Sequence, residues 1–224
     1  MAEHLEEMPL FPLNTVLFPY AQILLHVFED RYREMIRHCM QNDQGFGIVL
    51  IRSGGEVGEP ADPYLIGTAV RIVSVQTFDD GKMDVKVQGE RRFRIRKMDE
   101  ESQPYLIGQV EPVIEMVVED TPRTDALLIK TREYVQSYIE SYFSRFDMKI
   151  AKVKLPQDAT ALSFVVANFL QIENIQKQHL LETTDTLDRI TEMIPILERH
   201  LHETETPDYV RVDWRQVEEF ITPN

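Results

Sequence analysis

The side chains best suited to metal binding or nucleophilic work are six histidines, His4, His26, His38, His179, His200 and His202, and one cysteine, Cys39. A metal site needs several ligands converging from compatible spacings. His200 and His202 stand two apart in a helical pattern, which turns them to divergent faces. His179 lacks the second histidine of an H-E-x-x-H pair. His26 alternates with apolar neighbours, the setting of a hydrogen-bonded structural histidine. Cys39 falls on an apolar helical stripe, while Arg37 and His38 just before it turn to other faces of the helix, so it reads as a small buried hydrophobe. No Gly-x-Ser-x-Gly elbow is present, no serine and lysine stand in a recognisable catalytic context, and the glycines of residues 53–63 lack the Gly-Lys-Ser/Thr of a phosphate-binding loop. The carboxylates Glu133, Glu140, Glu192 and Glu198 read as solvated helix faces. These residues supply no catalytic centre, and no cofactor or metal is implied.

One run does carry concentrated charge: Glu90-Arg91-Arg92-Phe93-Arg94-Ile95-Arg96-Lys97. Side chains alternate along a strand. Phe93 and Ile95 would then point inward, while Arg92, Arg94 and Arg96 would line the other face. Such a ribbon can meet phosphates or a peptide carboxylate; it can equally be a solvated face paired to local acids.

The elements around these residues follow from periodicity. Pro9, Pro12 and Pro19 exclude a helix at the N-terminal end, because each fixes φ and removes a backbone donor. An extended chain with a turn at Leu13-Asn14-Thr15 fits instead, followed by a buried strand over residues 23–28 (ILLHVF). A helix opens at Glu29 or Asp30, with Tyr32, Met35, Ile36, Cys39 and Met40 as its apolar face. Residues 45–52 make another strand, and residues 53–63 a Gly- and Pro-rich loop. From residue 66 to 116 strand follows strand, with Asp79-Asp80-Gly81 as a hairpin turn. Five or six strands with one helix suggest a small closed or partly closed β-barrel.

The pattern turns helical near Thr121-Pro122. Leu128, Val135, Tyr138, Ile139, Tyr142 and Phe146 form the seam of a long helix. Asp158 caps the next, which holds Leu162, Val165, Val166, Phe169 and Leu170. A short helix spans residues 175–181. A last one runs from Asp185 to His202 through Leu187, Ile190, Ile194, Leu197 and Leu201, with Pro195 expected to kink it. The expected organisation is thus a β-rich part at 1–120, a helical part at 121–204 and a tail at 205–224. The tail holds the single tryptophan, Trp214, and is read as folding back on the helices, a mobile arm being the alternative.

Bulk properties narrow the function. The chain has 224 residues, 43% hydrophobic and 28% charged, with a formal net charge of −14. That charge opposes attraction to polyphosphate or anionic lipid. The acidic start lacks a secretory signal. The apolar run after it is broken by Pro12, Asn14, Pro19, Gln22 and His26, short of the roughly 20 apolar residues a membrane span needs. A cytoplasmic location is expected, with no membrane contact.

Taken together, four segments resemble the substrate-binding N-terminal domain of Lon proteases, in particular its small stand-alone relatives. They are LFPLNTVLFPYAQILLHVFEDRYREMI at 10–36, GFGI at 45–48, IGTAV at 66–70 and VKVQGERRFRI at 85–95. The helical stretch from Leu155-Pro156 through Leu180-Leu181-Glu182-Thr183 is similar to the family's second subdomain. The resemblance covers about residues 5–203. Two departures stand out: Tyr20 replaces the glycine usual after Phe18-Pro19, and Leu24 stands where a second proline is common. The resemblance implies an α+β fold, a PUA-like β-barrel followed by a C-terminal α-helical bundle. It implies recognition of exposed polypeptide, without the ATPase and Ser-Lys protease machinery of Lon.

The expected function is therefore a non-catalytic module that binds unfolded or partly folded polypeptide as an adaptor or chaperone-like partner. A protease or chaperone is a candidate associate, and a homodimer is compatible with this. Phe18, Tyr20 and Leu24 are the candidate peptide contacts. The alternative is an RNA-binding PUA-like domain that uses the face of Arg92, Arg94 and Arg96.

Overall fold

A computed structural model describes residues 5–56, 58, 61–144 and 153–202. Phe146, the tail 205–224 and the side chains of His4, His200, Leu201 and His202 lie outside the described residues. The element order is β1 (Glu6–Leu13), β2 (Gln22–Val27), α1 (Asp30–Gln41), β3 (Phe46–Gly54), β4 (Ala61–Pro63), β5 (Ile66–Thr77), β6 (Met83–Asp99) and β7 (Ile107–Pro112), then α2 (Pro122–Ser144), α3 (Ala159–Phe169), α4 (Asn174–Glu182) and α5 (Thr186–His202). The chain divides into two compact units. One is Met1–Val113 with Asn174–Glu182; the other is Ile114–Glu173 with Thr183–Asn224.

The first unit is a barrel. Its strands run β1-β7-β6-β5-β3, and β1 pairs in parallel with β3 to close the ring. Seven strands form where five or six are expected. The additions are β1, where the extended chain expected from Pro9 and Pro12 pairs into the sheet, and the three-residue β4 inside the Gly- and Pro-rich stretch. Strand β6 is 17 residues long and serves two sets of neighbours. Its first part lies between β2 and β5, its second between β5 and β7. The register slips by one residue at Glu90, between Ala69↔Arg91 and Val70↔Gly89. Such a bulge bends the strand and lets it change partner.

Leu10, Val49, Ala69, Phe93 and Val110 fill one hydrophobic cluster of the barrel. A larger cluster joins Phe11, Leu25, Val27, Phe46, Val85 and Val87 to the buried face of α1. That face is Tyr32, Met35, Ile36 and Cys39, as the spacing predicts. Met40 is exposed instead. It lies about 80° round the helix from Tyr32 at 3.6 residues per turn, beyond the edge of the stripe. The Asp79-Asp80-Gly81 turn forms, with Gly81 at φ 80° and the Phe78 and Lys82 backbones hydrogen-bonded.

Helix α4 belongs to the barrel unit rather than to the helical one. Gln178 Nε2 donates to Ile66 O at 3.0 Å, and Asn174 Nδ2 donates to Asn14 O at 2.6 Å.

In the second unit α2, α3 and α5 pack together. Asp158 caps α3 by accepting from Ala161 N at 2.7 Å. Asp185 does the same for α5, accepting from Leu187 N and Asp188 N. Pro195 lies inside α5. The α2 seam differs in detail from expectation: Val135, Tyr138 and Ile139 are buried, but Thr124, Thr131 and Phe143 complete the face. Leu128 and Tyr142 are half-buried. Among the described residues Arg189 is the largest fully buried side chain. It donates to Ser163 Oγ, to Thr183 O and to Glu115, and its guanidinium lies 4.0 Å from the centre of the Phe164 ring. Burial lowers its pKa while Glu115 opposes the shift. A buried cation survives only when paired in this way.

Candidate functional site

Strand β2 follows a tight turn made by Phe18, Pro19, Tyr20 and Ala21. Ala21 N donates to Phe18 O at 3.2 Å, and Tyr20 adopts φ 70°. Proline followed by a positive-φ residue is a type II arrangement, which favours glycine at the second position. Tyr20 thus takes a strained conformation and shows 42% of its surface. Backbone hydrogen bonds from Tyr20 N to Gly89 O and from Gly89 N to Ala21 O, each 2.8 Å, fasten the turn to β6. A Cβ on Gly89 would stand 2.4 Å from Phe18 O, so only glycine allows this approach.

Beyond the turn, β2 pairs antiparallel with β6, from Gln22↔Gln88 to Val27↔Met83. Beside β2 lies a cavity of about 240 Å³. Residues 23–28 form one wall. Phe11 and Leu13 from β1, Thr15, and Tyr32 from α1 also line the cavity, with Phe11, Leu13 and Tyr32 largely buried. Phe11 and Tyr32 stack with ring centres 4.1 Å apart. Glu29 and Glu56 complete the lining. Glu29 accepts from Arg31 and from Gly58 N, and Glu56 accepts from Asn14 Nδ2 at 3.0 Å. At the outer end His26 Nδ1 meets Asp84 Oδ1 at 2.7 Å. The His26 ring lies between Phe28, which is 45% exposed, and Phe78.

Of the three residues put forward as peptide contacts, Leu24 alone lines the cavity, half-buried. Phe18 is 0% exposed and serves as core. Tyr20 is at the surface on the turn but is not in the lining. Sequence reasoning passed over Phe11, Leu13, Tyr32, Phe28 and His26. Each reads as core or structure by itself, and their convergence depends on how β1 and α1 face β2.

The three arginines of the ribbon have different fates. Arg92 is 2% exposed, and its Nη1 donates to Leu181 O in the last turn of α4. Alternation places Arg92 opposite Phe93, as expected, but α4 covers Arg92 itself. Arg94 is half-buried. Arg96 pairs with Glu111 at 2.5 Å, and neighbouring Arg91 pairs with Glu6. Carboxylates and a helix end thus take up much of the positive charge. Among the described residues no group of three or more His, Cys, Asp or Glu side chains could hold a metal ion. Nor is any helix among them long and apolar enough to cross a membrane.

A five-strand ring with an early helix, an outer strand and a following set of helices makes an α+β fold. The family described as ATP-dependent protease La (LON) substrate-binding domain matches residues 7–199, and the chain belongs to it. Among curated relatives, the Lon protease of Buchnera aphidicola subsp. Baizongia pistaciae is 28% identical over 203 residues. The match takes in 87% of this chain and 25% of that protein. Lon protease 1 of Thermus thermophilus is 26% identical, with 89% and 25% covered. The chain therefore spans about a quarter of the length of these relatives. Among solved structures, the Lon N-terminal domain protein from Xanthomonas campestris superposes with a TM-score of 0.61 at 27% identity, covering 85% of this chain and 98% of that one. The N-terminal domain of Mycobacterium avium complex Lon protease superposes at 0.62 and 21% identity, a likeness of fold.

Proposed function

We propose that this chain is a non-catalytic recognition module that holds exposed, unfolded segments of polypeptide in the cytoplasm, acting as an adaptor or chaperone-like partner beside a protease or chaperone. Membership of a substrate-binding family supports the class. The observation that carries the reading is the cavity beside β2, lined by apolar and aromatic side chains from β1, β2 and α1. Apolar side chains left over such a space gain by burying a segment that brings its own. A folded protein hides those segments and an unfolded one offers them.

The test is fluorescence anisotropy with a labelled polypeptide trapped in its unfolded state, compared with the same polypeptide folded. The unfolded form binds and the folded form does not. Leu24→Asp, which places a charge in the lining, weakens binding about tenfold or more through the cost of burying it, while circular dichroism reports an unchanged fold. Equal failure of both polypeptides to bind ends the proposal.

A further inference from the structure

Residues 23–27 are consecutive on one strand, and all of them line the cavity. Side chains on a strand point alternately to opposite faces. A cavity lying over one face would meet every second residue. Contact with the whole run means that the cavity follows the strand's edge. Among the described residues β2 is hydrogen-bonded to β6 and to no other strand, so this is the outer edge. In an antiparallel pair, every second residue directs its N–H and C=O away from the partner. The edge thus offers backbone donors and acceptors, and the cavity beside it is lined by the half-buried Ile23 and Leu24 and the exposed Phe28, with Phe11, Leu13 and Tyr32 buried behind them.

We infer that the segment bound here adds to the outer edge of β2 as an extra β-strand. This rests on the polypeptide-binding function proposed above and specifies how the segment is held. An extended chain alone can satisfy a row of edge groups while sending alternate side chains into an apolar wall. A helix keeps its backbone groups to itself and leaves the edge unmet. The ionisable groups of the lining are His26, Glu29 and Glu56, with no lysine or arginine among them. The favoured segment is thus apolar at alternate positions and carries a lysine or arginine beside its apolar run. A six-residue strand, the length of β2, spans about 20 Å.

The experiment uses a fluorescent ten-residue peptide of alternating valine and threonine with a lysine at each end, and the full chain. Two derivatives carry backbone N-methyl groups on alternate residues, one in each register. A third peptide has the same composition rearranged and cross-linked as a helix. The parent binds, and one N-methylated register binds about tenfold or more weakly through the loss of two or more backbone hydrogen bonds. The other register stays within about twofold, and the helical peptide does not bind. Amide exchange slows at residues 23–27 when the parent is added. Equal binding by both registers and by the helix overturns strand addition but leaves polypeptide binding standing. Failure of every peptide, and of the trapped unfolded polypeptide, overturns the function itself. A peptide copying residues 207–216 of this chain, which include YVRVDW, is the competitor. If it binds more tightly than the parent, the edge belongs to the chain's own C-terminal segment and the inference falls. Concentration-dependent protection of residues 23–27 without peptide assigns the edge to a second copy, with the same result.

Discussion

Replacing Arg92 by methionine separates an internal fastening from a ligand-facing ribbon. The guanidinium is almost wholly buried and gives a hydrogen bond to Leu181 O, one of the last carbonyls of α4. Those carbonyls lack partners within the helix. A hydrogen bond from a charged donor contributes ~1.5–3 kcal/mol, and a cation at a partly buried helix end up to ~2 kcal/mol. Relief from burying a charge offsets part of both. Methionine keeps most of the volume, so the net loss is about 2 kcal/mol. Amide exchange across Asn174–Glu182 should then quicken roughly 30-fold, and the melting temperature should fall by ~4–8 °C if the chain unfolds as one transition. Hydrogen-exchange mass spectrometry on α4 peptides measures the first, calorimetry the second. Unchanged exchange in α4, together with loss of retention on an anionic matrix, would refute the structural role and restore the exposed ribbon.

Three further outcomes follow from the same physics. Gly89→Ala pushes a methyl group against Phe18 O and should cost about 1–3 kcal/mol as overpacking, seen as a lower denaturant midpoint; an unchanged midpoint would mean that the turn is free to move. Tyr20→Gly removes a left-handed strain of about 1–2 kcal/mol and adds about 0.5–1 kcal/mol of glycine entropy. The protein should melt at the same temperature or slightly higher, and a marked drop would show that the tyrosine ring packs usefully. Burial pushes the Cys39 thiol up to about 11, so at pH 8 its thiolate is about a thousandth of the population. Iodoacetamide should leave it unmodified in native protein and label it in urea; rapid native labelling at pH 8 would contradict its burial.

Much of the architecture could be read from local pattern. The α1 stripe, the Asp-Asp-Gly hairpin and the Asp158 cap each depend on residues within one or two turns of chain. Strand β1 was harder, because its prolines announce only an extended backbone. Its pairing with residues of β3 and β7 is long-range. Arg92 shows the same limit from the side of function. Alternation correctly sets it against Phe93, yet nothing near it in sequence says that a helix some 80 residues later covers it. Among candidate contacts, Leu24 could be named because it lies near the first turn. Phe11 and Tyr32 could not, since an aromatic that lines a cavity and one that fills a core have the same periodicity.

The closing seam of the barrel joins Glu6 to Val110 and Leu10 to Gly47. During synthesis the first strand emerges about a hundred residues before one of its two neighbours exists. The ring therefore cannot shut until β7 has left the ribosome, and α4 can seal Arg92 only after most of the helical unit has followed. Contacts so distant along the chain are slow to form, and an open half-barrel displays unpaired edges while it waits. A nascent chain of this protein is, for that interval, the kind of polypeptide that the proposed function would have its finished fold hold.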